Sequence, residues 1–128
     1  MEKFENDDWK VWIEDEIVYV KCLAEHYTCK MIDEGIKERR EITKDKSYVM
    51  FADIRNVKSI TREARQRLSQ EDAGTGTIAV AFLSNSKVHE VIYNFFNVIY
   101  KAPAPTKGFT DEKKAIEWLQ KYKENIRQ

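Results

Sequence analysis

Two thiols and an imidazole fall close together in "CLAEHYTC", as Cys22, His26 and Cys29. Soft and borderline ligands at such short spacing raise the question of a metal. A closed structural zinc site normally takes four ligands, in paired Cys-x-x-Cys or His-x-x-x-His spacing, and this set is one ligand short. Cys22 and Cys29 are also too few for a disulfide scaffold and read as free, buried or half-buried thiols. A Cys-His nucleophile pair would need a third group to orient the imidazole and donors for an oxyanion, and no recognisable spacing supplies them. The second imidazole, His89, falls in the first turn of an expected helix.

The second chemical candidate is "VMFADIRNVKSITREARQRL", Val49 to Leu68. An apolar run ends in Asp53, a polar loop follows, and Thr61 opens a helix as its N-cap. Open α/β sheets hold ligands at the carboxyl ends of such strands. Asp53 therefore has two readings: a ligand contact, or an acceptor for the loop that follows it. Ser59 and Thr61 carry the hydroxyls of this stretch, and capping alone explains that of Thr61. Arg62 and Arg65 are cations suited to an acidic partner or an anion.

Other reactive signatures are absent. "AGTG" lacks the Lys-Ser/Thr of a Walker loop and does not follow a strand, and there is no G-x-S-x-G elbow. The expectation is a protein that is not an enzyme and carries no cofactor or metal. Lys+Arg and Asp+Glu both total 22, so the formal net charge is zero. That argues against nucleic acid as a partner, because phosphate binding calls for a basic excess or stripe. No apolar run reaches the roughly 18 residues of a membrane span, and "MEKFENDDWK" lacks an apolar signal region. The expected localisation is cytoplasmic.

These residues need elements to position them. The chain has 128 residues, 42% of them hydrophobic and 34% charged, which suits one globular domain over 1–128. Trp9 to Cys22 alternates twice around Asp15-Glu16 and predicts a β-hairpin, though without an Asn-Gly turn signal. Thr28 caps a helix to about Glu41. Tyr48 to Ala52 is continuously apolar, as in a strand covered on both faces. The helix opened by Thr61 has a thin stripe, Ala64, Leu68 and Ala73, and ends at "GTG", Gly74 to Gly76. A second buried strand spans Thr77 to Ser84, and a helix follows from about Val88 to Lys101. "APAPTKGF" is an extended linker with a candidate edge strand near Thr106. Thr110 caps the last helix, whose apolar face is Ala115, Ile116, Leu119, Tyr122 and Ile126. The fold class is α/β: a mixed, mostly parallel sheet of four to five strands, with an N-terminal β-hairpin and four helices.

Three pieces together, "VMFADIRNVKSITREARQRL", "TIAVAFLSNSKVHEVIYNFF" and "KGFTDEKKAIEWLQKYK", resemble SpoIIAA-like proteins of the STAS superfamily (sulphate transporter and anti-sigma factor antagonist). The ending is similar to the Phe-then-Ala-x-x-Trp-Leu helix of stand-alone bacterial members, here Phe109, Ala115, Trp118 and Leu119. The resemblance implies helices packed on a mixed sheet and a regulatory or ligand-holding role rather than catalysis. In anti-sigma antagonists an Asp-Ser-Ser-Gly-like motif in the strand-to-helix loop carries a phosphorylated serine. Its place falls on Thr61, Arg62, Glu63 and Ala64, so neither serine is matched. A fixed carboxylate at Glu63 cannot be switched.

The expected third helix, "VHEVIYNFFNVIYK", is apolar over an arc of roughly 220° at 100° per residue. A helix lying on a sheet needs only about 100° or somewhat more. The surplus edge is Tyr93, Phe96 and Tyr100, and something should cover it. Three coverings fit: the chain's own linker or last helix, a second copy in a homodimer, or an apolar small ligand such as a lipid chain. The last is what the likeness of some SpoIIAA-like relatives to Sec14-type lipid carriers implies. The reading is a non-catalytic regulatory or protein-interaction module without the usual phosphorylatable serine. Its contacts are Asp53, Ser59, Thr61, Arg62, Arg65, Tyr93, Phe96 and Tyr100, and its partner is an unidentified protein or a second copy. The alternative is a small carrier of an apolar or lipid-like ligand.

Overall fold

The alternation between Trp9 and Cys22 folds as the expected hairpin. Strands β2 (Trp9–Glu14) and β3 (Ile17–Cys22) pair antiparallel from Trp9↔Cys22 to Glu14↔Ile17. Both turn residues take positive φ, 53° at Asp15 and 65° at Glu16. That is type I′ geometry, whose twist matches the strands even without Asn-Gly. The computed structural model describes residues 3–44, 46–70, 76–86 and 104–126.

Ahead of the hairpin, β1 (Lys3–Glu5) adds an antiparallel edge. The Asn6 side chain shapes the turn between them, its Oδ1 accepting from the Asp8 and Trp9 N–H groups at 2.8 and 2.9 Å. After the short β4 (His26–Tyr27), helix α1 (Cys29–Thr43) starts where Thr28 Oγ1 accepts the Met31 N–H at 3.3 Å. Ile32 and Ile36 are the apolar side it buries. Gly35 sits against Trp9, where a Cβ would lie 3.0 Å from the indole, so glycine lets the helix settle onto that ring.

The rest follows as β5 (Tyr48–Asp53), β6 (Ser59–Ile60), α2 (Arg62–Leu68), β7 (Thr77–Leu83), β8 (Thr106–Phe109) and α3 (Glu112–Ile126). The main sheet runs β1-β2-β3-β5-β7-β8, and the β3–β5, β5–β7 and β7–β8 pairs are parallel. Strands β4 and β6 form a separate two-stranded parallel sheet, with His26↔Ser59 and Tyr27↔Ile60. Two cores result. Val11, Val18, Val20, Tyr48 and Ala52 pack with Ile32, Ile36 and Ala64 on one face. Ile17, Val49, Phe51, Ala79, Ala81 and Leu83 pack with Ala115 and Leu119 of α3 on the other. The continuous apolar run of β5 feeds both, which is why it does not alternate.

Several expectations need correction. The sheet has six strands, not four to five: β1 is only three residues with one apolar side chain, too short to show a period. The candidate strand near Thr106 forms, as β8. Helix α2 stops at Leu68, where the Ser69 N–H returns to the Gln66 carbonyl at 3.2 Å, rather than reaching the Gly-Thr-Gly. The cap of α3 is Asp111, not Thr110: its Oδ1 accepts the Lys114 N–H at 3.2 Å. Three helices are present among the described residues, against four expected. The expected Val88–Lys101 helix, with Tyr93, Phe96 and Tyr100, lies outside the described residues. No described helix is long and apolar enough to cross a membrane.

Candidate functional site

Parallel pairing brings the carboxyl ends of β3, β5 and β7 to one edge, and the loop after β5 is built there. Its first fastening is Asp53. Oδ1 accepts the Arg55 backbone N–H at 3.1 Å and Nε at 3.0 Å, and Oδ2 accepts Nη2 at 2.7 Å. Burial pushes the Asp53 carboxyl up, but these hydrogen bonds and the charges of Arg55 and Lys21 outweigh it, and its pKa is lowered. The loop continues with Ile54 N–H on the Leu83 carbonyl at 2.9 Å and Val57 N–H on the Ile54 carbonyl at 3.0 Å.

The second fastening is the β4–β6 sheet. The N–H groups of Lys58 and Ser59 both reach the Glu25 carbonyl, at 2.7 and 3.1 Å, and the Thr61 N–H reaches the Tyr27 carbonyl at 3.0 Å. Across this sheet His26 Nδ1 and Ser59 Oγ lie 2.6 Å apart. Both are exposed. Among the described residues His26 Nε2 has no partner, so the pair lacks the third group of a catalytic arrangement. Thr61 Oγ1 accepts the Ala64 N–H at 3.1 Å and is thereby engaged as the cap of α2. Arg65 Nη1 donates to the Ile60 carbonyl at 3.4 Å. Arg62 is exposed and, among the described residues, makes no ion pair.

The structure thus gathers Asp53, Ser59, Thr61, Arg62 and Arg65 on one fixed segment, with Asp53 serving the loop itself. It does not gather the cysteines with His26. Cys22 is buried on the α1 side of the sheet, Cys29 is half-buried at the start of α1, and His26 is exposed. Among the described residues no three His, Cys, Asp or Glu side chains converge on a metal position. Burial, helped by the Asp53 charge and opposed by a hydrogen bond with Tyr27, pushes the Cys22 thiol up to about 12. Tyr27 is a structural fastener: its hydroxyl donates to the Asp8 carbonyl at 2.5 Å and accepts from the Ala24 N–H at 3.2 Å.

Sequence reasoning missed a pocket of about 380 Å³ on the α3 face, which runs from Asp53 and Arg55 at the carboxyl end of β5 to Glu14, level with the start of β3. Trp12, Tyr19 and Phe51 form its aromatic wall, one from each of β2, β3 and β5, because the register pairs Trp12 with Tyr19 and Tyr19 with Phe51. The Trp12 and Tyr19 rings stack at 5.1 Å and 6°, and Tyr19 meets Phe51 at 5.6 Å and 49°. Glu14, Lys21, Asp53, Arg55 and Glu112 supply the charged rim. The usable signal was parity: Trp12 and Tyr19 alternate out of phase with the core residues Val11, Val18 and Val20, so they face the other side.

Comparison with other proteins agrees with this architecture. The chain matches a domain of unknown function, DUF7793, over residues 11–123, and it belongs to that family. No curated protein matches it. Among solved structures it is similar to an uncharacterised protein of the DUF3478 family, with a SpoIIAA-like fold, from Shewanella loihica PV-4. The TM-score is 0.66 at 17% identity, covering 87% of this chain and 91% of that one. The fold is therefore SpoIIAA-like, as the three sequence segments implied.

Proposed function

We propose that the chain is a non-catalytic, STAS-like interaction module that docks a protein partner, or a second copy of itself, through the Asp53–Arg65 loop and the start of α2. The observation that carries this reading is the fixing of that loop. Lys58, Ser59 and Thr61 give their N–H groups to Glu25 and Tyr27, and Asp53 clamps Arg55. Meanwhile Arg55, Lys58, Arg62 and Glu63 remain exposed. A polar surface fixed before contact loses little conformational entropy on binding. The Thr61 hydroxyl is occupied by capping, and Glu63 stands in the place of the modified serine, which supports contact without the usual phosphoserine switch.

The test is a photo-crosslinking side chain placed at Arg62 in the native host, with Lys121 on α3 as the control. A discrete adduct at Arg62 alone is expected, and native mass spectrometry separates a self-adduct from a foreign partner. Equal or no crosslinking at the two positions, with a monomer in native mass spectra, overturns the reading.

A second reading, a carrier of a small ligand, draws support from the pocket beside Asp53. Its volume of about 380 Å³ suits a small molecule. Five charged groups on its rim favour a ligand with a polar or ionic part over a bare lipid chain.

A further inference from the structure

We propose that the pocket walled by Trp12, Tyr19 and Phe51 is a binding site for a small organic cation, an ammonium group carried on an apolar body. The inference rests on the carrier reading of this pocket: Asp53 and Arg55 belong to both the pocket and the docking loop, while the aromatic wall, Glu14 and Glu112 lie on β2, β3, β5 and the first turn of α3. The aromatic wall comes first. Trp12 and Tyr19 are half-buried although they stack on each other and Tyr19 meets the buried Phe51 at a tilt. Among the described residues, helix α3 packs mainly over β5, β7 and β8, and the pocket lies at the β2–β3 part of this face. Ring faces carry the negative part of the aromatic quadrupole, so a partly open wall of them attracts cations.

Charge decides between a cation and a neutral or anionic guest. The lining itself holds three carboxylates, Glu14, Asp53 and Glu112, against two cations, Lys21 and Arg55, with Lys10 over the Trp12 ring but outside the lining. Asp53 is engaged by Arg55 and Lys21, and Arg55 also feels Glu112, so that end of the pocket is self-neutralised. At the Trp12–Tyr19 end Glu14 is exposed and, among the described residues, pairs with no cation. The Tyr19 hydroxyl registers the resulting field: burial first, then Glu14, Asp15 and Glu112, raise its pKa. The chain also supplies its own precedent, because the Lys10 ammonium lies 5.4 Å from the centre of the Trp12 ring. A cation entering from solvent would meet the same ring system with Glu14 beside it.

The experiment uses choline, its neutral isostere 3,3-dimethylbutan-1-ol, and benzoate, each titrated into the ¹⁵N-labelled full chain and followed by two-dimensional NMR. Choline should shift the Trp12 indole N–H and the amides of Tyr19, Lys21 and Glu112. The neutral isostere should bind about tenfold more weakly, the usual size of a charge-plus-ring effect. Glu14→Gln, on an exposed side chain, should keep the native spectrum and weaken choline several-fold while leaving the isostere unchanged. Trp12→Leu should remove the preference for choline. Equal binding of choline and its isostere overturns the proposal, as does tighter binding of benzoate. So does an unmoved Trp12 indole at millimolar choline. In none of these cases does the crosslink at Arg62 change, so failure here is distinguishable from failure of the docking reading.

Discussion

Replacing Asp53 with asparagine removes one negative charge and leaves the side chain's shape nearly intact, so it isolates what the Arg55 clamp contributes. Asp53 accepts three hydrogen bonds from Arg55, two of them from the guanidinium. Hydrogen bonds to charged groups are worth about 1.5–3 kcal/mol when water is excluded. The Asp53 side chain is 12% exposed but that of Arg55 is 51% exposed. Solvent screening of the cation brings the expected loss at neutral pH down to about 1 kcal/mol. The pH dependence follows from the direction of the shift. The folded-state pKa of Asp53 lies below that of an ordinary carboxyl. The stabilisation is therefore fully present above the unfolded value of about 3.9 and disappears as pH falls through the lower folded value. Urea denaturation of wild type and Asp53→Asn at pH 7 and in strong acid measures both quantities. The two chains should differ by about 1 kcal/mol at pH 7 and converge in acid. A difference that persists unchanged in acid would refute the reasoning, because the loss would then come from shape and not from charge.

Other perturbations follow from single observations. Gly76 has a φ of +78°, and a Cβ there would lie 2.6 Å from the Lys46 carbonyl oxygen. Gly76→Ala should therefore cost about 1–3 kcal/mol in denaturant unfolding. Glu16 occupies the left-handed region at φ 65° in the β2–β3 turn. Glu16→Gly should stabilise the chain by about 0.5–1 kcal/mol, seen as a higher urea midpoint. Cys22 is buried with its thiol pushed up to about 12. In native protein at pH 8, iodoacetamide should label Cys29 and leave Cys22 until the chain is unfolded, as peptide mass mapping will show.

How far the candidate site was legible depended on how local each part is. Thr61 as a cap, Asp53 at a strand's end and Arg62 at the helix start belong to one continuous segment, and their roles depend on neighbours two or three residues away. The Ser59–His26 contact joins residues 33 apart in sequence and exists only because two dipeptides pair as β4 and β6. Two residues carry no period to read. The same applies to β1, and to the choice of Asp111 over Thr110 as a cap, since both residue types cap well.

The sequence by itself determined the α/β class, the N-terminal hairpin, the two buried central strands and the SpoIIAA-like layout, all of which the structure bears out. The class, the hairpin and the strands rest on hydrophobic period and chain order, which are properties of contiguous residues, and the SpoIIAA-like layout on the resemblance of three such segments. Only the tertiary structure decided which side chains share a surface. Trp12, Tyr19, Phe51 and Glu112 come from β2, β3, β5 and α3, and strand register and the docking of α3 bring them around one pocket. Register is a long-range choice, set by which faces the helices cover, and a shift of one residue would have turned every one of those rings into the opposite core.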